Sequence, residues 1–204
     1  MAEVIQIDPD APAPDLIAKA VRVLKAKGVI IYPTETLYGI GAHPLFPEAM
    51  KRLYAIKARD EAKPIPFLIK DEEMLATLVE EVPSMGKELI KRYWPGTLTL
   101  IFRAKKGLPP ALGGKDGFIG LRISAHPVAK AIVEAMDAPL TSTSANLAGE
   151  KDILDGKQLA HVFGNQVDLI IDCGKVAGIG STVVDVTIEP PRVVREGMIK
   201  NPFA

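Results

Sequence analysis

The sequence predicts a mixed α/β fold, with parallel and antiparallel strands in a sheet flanked by helices. Three observations lead there. Helical and strand-like segments alternate through the first half of the 204 residues, and strand-like segments cluster towards the end. Hydrophobic residues make up 48%, and a chain of this length buries roughly 70% of its unfolded surface, so a substantial core forms without staples. No repeat, low-complexity stretch or linker divides the chain, which reads as a single domain over residues 1–204.

Residues 12–27 carry Leu16, Ile17, Ala20, Val23 and Leu24 at helical spacing, with Gly28 as the stop. The run Val29-Ile30-Ile31-Tyr32 is a short buried strand, cut off by Pro33. Helical period returns over residues 47–58 through Met50, Leu53, Tyr54 and Ile56. Residues 65–69 predict a strand, 71–81 and 84–93 two helices, and 97–102 and 118–123 two strands. A helix follows over 127–136, with Ala131, Ile132 and Ala135 inside, then a short strand at 140–143 and a helix at 156–163. Residues 167–172, 181–188 and 192–195 close the chain as strands. Gly113-Gly114 and the glycine-rich residues 174–180 are loops within the domain.

Several function classes drop out. One cysteine, Cys173, excludes an intramolecular disulfide and argues against a thiolate metal site. The histidines His43, His126 and His161 are far apart and lack metal-ligand spacing, so no metal site is expected. Residues 1–15 carry no charged-then-apolar leader, and no apolar run approaches the roughly 18 residues of a membrane span. A cytoplasmic protein without membrane contact is the expectation. No P-loop, G-x-G-x-x-G fingerprint or G-x-S-x-G elbow is present, and Ser84-x-x-Lys87 is a chance match inside a helix. Lysine plus arginine equals aspartate plus glutamate at 25 each, which predicts no overall preference for nucleic acid. Basic residues nevertheless concentrate over 51–70 and 87–106, as solvated helix faces or as a local anion site.

Four polar segments follow strands or break helices, and the residues alone leave two readings for each. Residues 33–41, PTETLYGIG, are an ordinary turn or a ligand loop at the carboxyl end of a strand. In KARDEAKP, residues 57–64, Lys57, Arg59 and Lys63 are a solvated helix end or cations gathered for phosphate oxygens. The string Thr141-Ser142-Thr143-Ser144-Ala145-Asn146 caps a helix or bonds to a ligand. Residues 180–185 with Arg195-Glu196-Gly197 are a hairpin edge or a further cationic wall.

Taken in order, PTETLYGIG, KARDEAKP, WPGTLTL, GLRISAHP, TSANLAG, GSTVVD and VVREG, spread over residues 33–197, resemble the YrdC-like family, TsaC-type L-threonylcarbamoyladenylate synthases in their short form. The resemblance implies a twisted open mixed sheet flanked by helices, with a large concave face. It implies condensation of L-threonine, bicarbonate or CO2 and ATP to threonylcarbamoyl-AMP and pyrophosphate, with magnesium accompanying ATP. The product would pass to a tRNA threonylcarbamoyl transferase complex that modifies position 37 of ANN-decoding tRNAs. Carried over by position, Lys57, Arg59, Lys63, Ser144, Asn146 and Arg195 would bind ATP, with Lys57 and Arg59 catalytic. Thr36, Arg122, Ser142 and Ser181 would surround threonine, Arg122 pairing its carboxylate. Tyr38 and Trp94 would serve as walls or core.

The chain departs from that pattern in places. Phe67-Leu68-Ile69 lacks the histidine some members carry, Gly180 stands where many have glutamate, and Ser124 where proline often follows G-L-R. The long form's extra C-terminal domain is not expected. The competing reading is a non-catalytic RNA-binding module using the concave face, against which the neutral charge and sparse aromatics count. A hydrogenase-maturation carbamoyl-adenylate domain shares the fold but brings zinc fingers that one cysteine cannot supply.

Overall fold

The computed structural model describes residues 1–58, 65–113, 116–147 and 150–204. The chain opens with β1 (Glu3–Gln6), α1 (Pro14–Lys25), β2 (Val29–Tyr32), β3 (Gly39–Ala42) and α2 (Pro47–Ile56). There follow β4 (Phe67–Leu68), α3 (Glu72–Leu78), α4 (Ser84–Tyr93), β5 (Leu98–Arg103), α5 (Pro110–Gly113), β6 (Phe118–Arg122) and α6 (Pro127–Met136). The last part holds β7 (Leu140–Thr141), β8 (Thr143–Ser144), α7 (Gly156–Phe163), β9 (Leu169–Asp172), β10 (Thr182–Asp185) and β11 (Arg192–Arg195).

Local chemistry sets most boundaries. Proline occupies the first turn of α1, α2 and α6, where its missing N–H has no helical partner to lose. Asp71 and Asp155 cap α3 and α7 by accepting the amides of Met74 and Lys157. Strand β10 stops short of the expected residue 188 because Asp185 Oδ1 takes both the amide and the hydroxyl of Thr187, closing a turn. Strands β1 and β3 and the short α5 are additions to the expected set. In β1 only Ile5 is buried, so the segment carries too little periodic signal. In β3 two glycines hide a strand: a Cβ at Gly39 would sit 3.1 Å from the Tyr32 ring, and one at Gly41 2.9 Å from it. Glycine is required where that ring lies across the neighbouring strand.

The mixed α/β architecture with flanking helices is what the structure has, hydrogen-bonded as two mixed sheets. One runs β1-β9-β2-β3-β8 and the other β11-β10-β5-β6-β4-β7. Strand β2 is buried along its whole length. Its Ile30 and Tyr32 pack with α1 and α6, while Val29 and Ile31 pack with α2 and α7. That two-sided burial explains the uninterrupted apolar run in the sequence.

The predicted strand at 140–143 is the joint between the sheets. Strand β7 pairs antiparallel with β4 in one sheet, and β8 pairs antiparallel with β3 in the other. Pairing of Gly39 with Ser144 and Ile40 with Thr143, carried two residues further, would set Ala42 against Thr141. There the backbone has moved to the second sheet, and the Thr141 side chain completes the ladder. Its Oγ1 accepts the Ala42 amide at 2.7 Å and donates to the Ile40 carbonyl at 3.1 Å, while its own carbonyl takes the Tyr32 hydroxyl at 2.9 Å. Thr141 is fully buried, so neither β3 group has water as an alternative.

Thr141→Val preserves shape and removes both hydroxyl bonds. The expected loss is about 1–3 kcal/mol, the usual cost of stranding a buried donor, read as a lower urea midpoint with an unchanged slope.

Candidate active site

A cavity of about 840 Å³ opens between the sheets and gathers every described candidate residue: Thr36, Lys57, Arg122, Ser142, Ser144, Asn146, Ser181 and Arg195 line it. This volume falls in the range of small-molecule sites. Arg59 and Lys63 lie outside the described residues.

One wall is the loop after β2. Thr34 Oγ1 accepts the amides of Thr36 and Leu37 and reaches the Leu37 carbonyl at 2.6 Å, so the turn is closed by its own hydroxyl. Thr36 Oγ1 lies 2.9 Å from Thr34 Oγ1 and accepts Arg122 Nη1 at 3.2 Å. Tyr38 is core, as expected: its hydroxyl donates to the Gly174 carbonyl and accepts the Cys173 amide, and burial pushes its pKa upward. It pins the glycine loop 174–180 behind the wall. Trp94 is likewise fixed structurally, its indole N–H donating to the Leu98 carbonyl.

A second wall is the Ser-x-Asn turn after β8. Lys57, at the end of α2, is nearly buried, and its ammonium donates to Ser144 O at 2.9 Å and to Asn146 O and Oδ1 at 2.6 Å each. Asn146 Oδ1 also accepts Ser144 Oγ, and its Nδ2 donates to the Glu150 carbonyl. Lys57 therefore orders this turn and puts a cation into the cavity wall.

The third wall is the β6-β5-β10-β11 face. Thr99 on β5 stands beside Val183 on β10 and exchanges a 2.9 Å bond with Ser181 Oγ. Arg195 on β11 donates through Nη2 to Ser181 O at 2.8 Å and to its Oγ at 3.0 Å. The approach of the chain end to this wall demands glycine, since a Cβ at Gly197 would meet Gly180 O at 2.3 Å. Gly180 itself has room, with Arg195 and Leu37 3.7–3.8 Å from a Cβ there.

With hydroxyls, two fixed cations and an arginine on three walls, the cavity suits a ligand carrying phosphate and carboxylate together. Residues 22–197 match the Sua5/YciO/YrdC family, described as telomere recombination. The chain belongs to this family. Threonylcarbamoyl-AMP synthase of Pyrococcus abyssi is 34% identical over 170 residues, 83% of this chain but 50% of that protein, so the chain spans half its relative's length. A crystal structure of P. abyssi Sua5 complexed with L-threonine superposes with a TM-score of 0.90 at 31% identity, over 95% of this chain and 57% of that one. The crystal structure of E. coli YciO superposes with a TM-score of 0.92 at 33% identity over 100% of both chains.

Within this Sua5/YciO/YrdC framework, sequence reasoning missed Thr99 and Glu35, and marked Ser124 only as a departure from the family pattern. Thr99 was legible as a hydroxyl at an alternating position of an otherwise apolar strand. Glu35 is tied to residues about ninety positions away, with Ser124 donating to its Oε2 and the Ala125 amide donating to its Oε1 at 3.2 Å. Nothing local signals that. Among the described residues, Lys57 reaches the cavity while other members of the two basic stretches turn elsewhere: Arg52 pairs with Asp168 at 2.8 Å, Lys70 with Asp137 at 2.7 Å, and Arg103 lies over Phe118.

His126 caps α6, its Nδ1 accepting the Val128 amide at 3.2 Å, and burial lowers its pKa against the opposing pull of Glu35 and Asp10. A lowered folded-state value means the unfolded chain takes the proton first as pH falls. Its contribution is therefore complete above the unfolded value of 6.5 and is lost as pH drops below it. His126→Asn keeps a capping oxygen without the titration. Urea midpoints at pH 7.5 and 5 are expected to lie closer together in this variant than in the parent.

Proposed function

We propose that this chain is an L-threonylcarbamoyladenylate synthase, using ATP, L-threonine and bicarbonate or CO2. The observation that carries the reading is the single cavity holding Arg122 with Thr36 on one side and the Lys57–Ser144–Asn146 cluster on another. The curated relative of that name and the threonine complex of P. abyssi Sua5 support it.

In this reading Arg122, Thr36, Ser142 and Ser181 hold the amino acid, with Arg122 on its carboxylate. Threonine's amine adds to CO2 to give a carbamate and a proton. A carbamate oxygen attacks the α-phosphorus of ATP, the bond to the β-phosphate oxygen breaks, and pyrophosphate leaves. This makes the reaction a nucleotidyl transfer. Arg195, Arg59 and Lys63 attend the phosphates, and Lys57 presents Ser144 and Asn146 to the nucleotide. Fixed cations stabilise the charge that accumulates on the phosphoryl oxygens, and holding carbamate and ATP in line supplies an orientation advantage of up to roughly 7–11 kcal/mol. The Ser181 hydroxyl, between Thr99 and Arg195, links the amino-acid and phosphate regions.

Magnesium would arrive on the polyphosphate. Among the described residues no cluster of His, Cys, Asp or Glu is arranged to hold a metal, and Asp185 is the sole carboxylate on the cavity wall. Phosphate and water ligands fit that donor set. We further propose a single domain in the cytoplasm, passing its adenylate to a tRNA-modifying transferase; no described helix is long and apolar enough to cross a membrane.

The test is incubation of the protein with ATP, threonine and labelled bicarbonate, following pyrophosphate and a labelled adenylate. Threonine-independent pyrophosphate release, or none, overturns the reading. Arg195→Ala, an exposed change, is expected to raise the ATP KM about ten- to a hundredfold, matching the roughly 1.5–3 kcal/mol of a charged hydrogen bond. Its urea midpoint should fall only modestly, through the lost bonds to Ser181. Arg122→Ala should raise the threonine KM instead.

A further inference from the structure

We propose that Glu35 and Ser124 form a positioning relay that sets the Arg122 guanidinium for an incoming amino-acid carboxylate. The relay rests on the reading of Arg122 as the carboxylate site and adds two residues that do not touch the substrate.

Arg122 lines the cavity, yet its side chain is only 5% exposed. A guanidinium that buried needs a counter-charge and acceptors. Glu35 supplies the charge, with Oε1 3.5 Å from Arg122 Nη1 and a side chain 17% exposed. Glu35 is itself held rigidly. The Ser124 hydroxyl donates to Oε2, the Ala125 amide donates to Oε1, and Ser124 Oγ accepts the His126 amide at 3.2 Å. All three donors belong to the approach to α6, a ten-residue helix whose amino end carries partial positive charge. The chain of interactions thus alternates in sign: helix amino end, Glu35 carboxylate, Arg122 guanidinium, Thr36 hydroxyl.

The atoms used on Arg122 give the relay its meaning. Glu35 and Thr36 both engage Nη1. Among the described residues, Nε and Nη2 have no hydrogen-bond partner. Those two nitrogens form the side edge of the fork, the geometry that accepts a carboxylate through two parallel bonds. Holding Nη1 from behind fixes that edge without occupying it. Ser124 fixes the second carboxylate oxygen, a hydroxyl bond that a proline or alanine at 124 could not make.

The experiment compares Glu35→Ala, Glu35→Gln and Ser124→Ala with the parent in the pyrophosphate-release assay, alongside nitrogen NMR spectroscopy of the arginine side chains. Glu35→Ala is expected to raise the threonine KM at least tenfold with the ATP KM within about twofold. Glu35→Gln, which keeps one oxygen for Arg122 and the Ala125 amide and turns its NH2 towards Ser124 Oγ but removes the charge, recovers part of that loss. Ser124→Ala raises the threonine KM several-fold. In the spectra the parent shows restricted rotation of the Arg122 guanidinium, and Glu35→Ala loses it. Parallel rises in both KM values, Gln no better than Ala, or an unchanged Arg122 signal would each overturn the relay. Should Glu35→Ala not fold, Glu35→Gln and Ser124→Ala decide the matter by the same readouts. A parent protein that shows no threonine-dependent reaction would refute the amino-acid reading, while the Arg122 spectra still decide whether the relay exists.

Discussion

The passage of one strand line from sheet to sheet at residues 140–144 is the constraint on which the site depends. Strand β4 pairs Phe67 with both Leu121 and Thr141, and Leu68 with both Arg122 and Leu140. Arg122 and the start of the Ser-x-Asn segment are therefore held in register through a shared neighbour. From there Thr141 Oγ1 fixes the crossing to β3, and β8 delivers Ser144 next to Lys57. A buried hydroxyl acts as a piece of backbone, because at that point both β3 groups face protein and have no water to turn to. The distance between the Arg122 side and the Lys57 side of the cavity is in this sense a property of the sheet joint.

Electrostatics follow from the same economy. A chain with equal numbers of acids and bases cannot attract a polyanion through its overall field. Its cations act by placement. Lys57 is held by three oxygens of the turn it organises, and Arg122 by Glu35 and Thr36. Each is desolvated and fixed before any ligand arrives, so little reorganisation remains at the moment charge moves. Elsewhere the basic residues take exposed partners such as Asp168 and Asp137, where ion pairs contribute little.

How much of this was legible depends on whether the signal was local. Helices α4, α6 and α7 and strands β2 and β11 coincide with their expected bounds, since caps, proline starts and apolar period are written in consecutive residues. The gathering of Thr36, Arg122, Ser144, Asn146 and Arg195 around one cavity was foreshadowed by motif order. Strand β3 was not, because glycine reads as turn until the Tyr32 ring across the sheet explains it. Nor was the split of 140–143 between two sheets, which needs knowledge of β3 and β4 at once. Glu35 and Ser124 sit inside recognised motifs, yet their significance lies in a contact spanning 89 positions. Lys57 was read as a phosphate ligand, and its embedding in the Ser-x-Asn turn emerged only from the fold.

PTETLYGIG divides the same way. Its first half closes a turn through Thr34, places Thr36 on Arg122 and sends Glu35 towards α6; its second half is a strand. Neither half makes a site alone. Arg122 comes from β6, Ser144 and Asn146 from the segment after the sheet joint, and Ser181 and Arg195 from strands whose contact requires Gly197. Each motif supplies one wall and the groups that hold another motif's wall in place. That reciprocity is why the ordered set carries meaning that no single motif has: losing one distorts its neighbours across the cavity rather than deleting one contact.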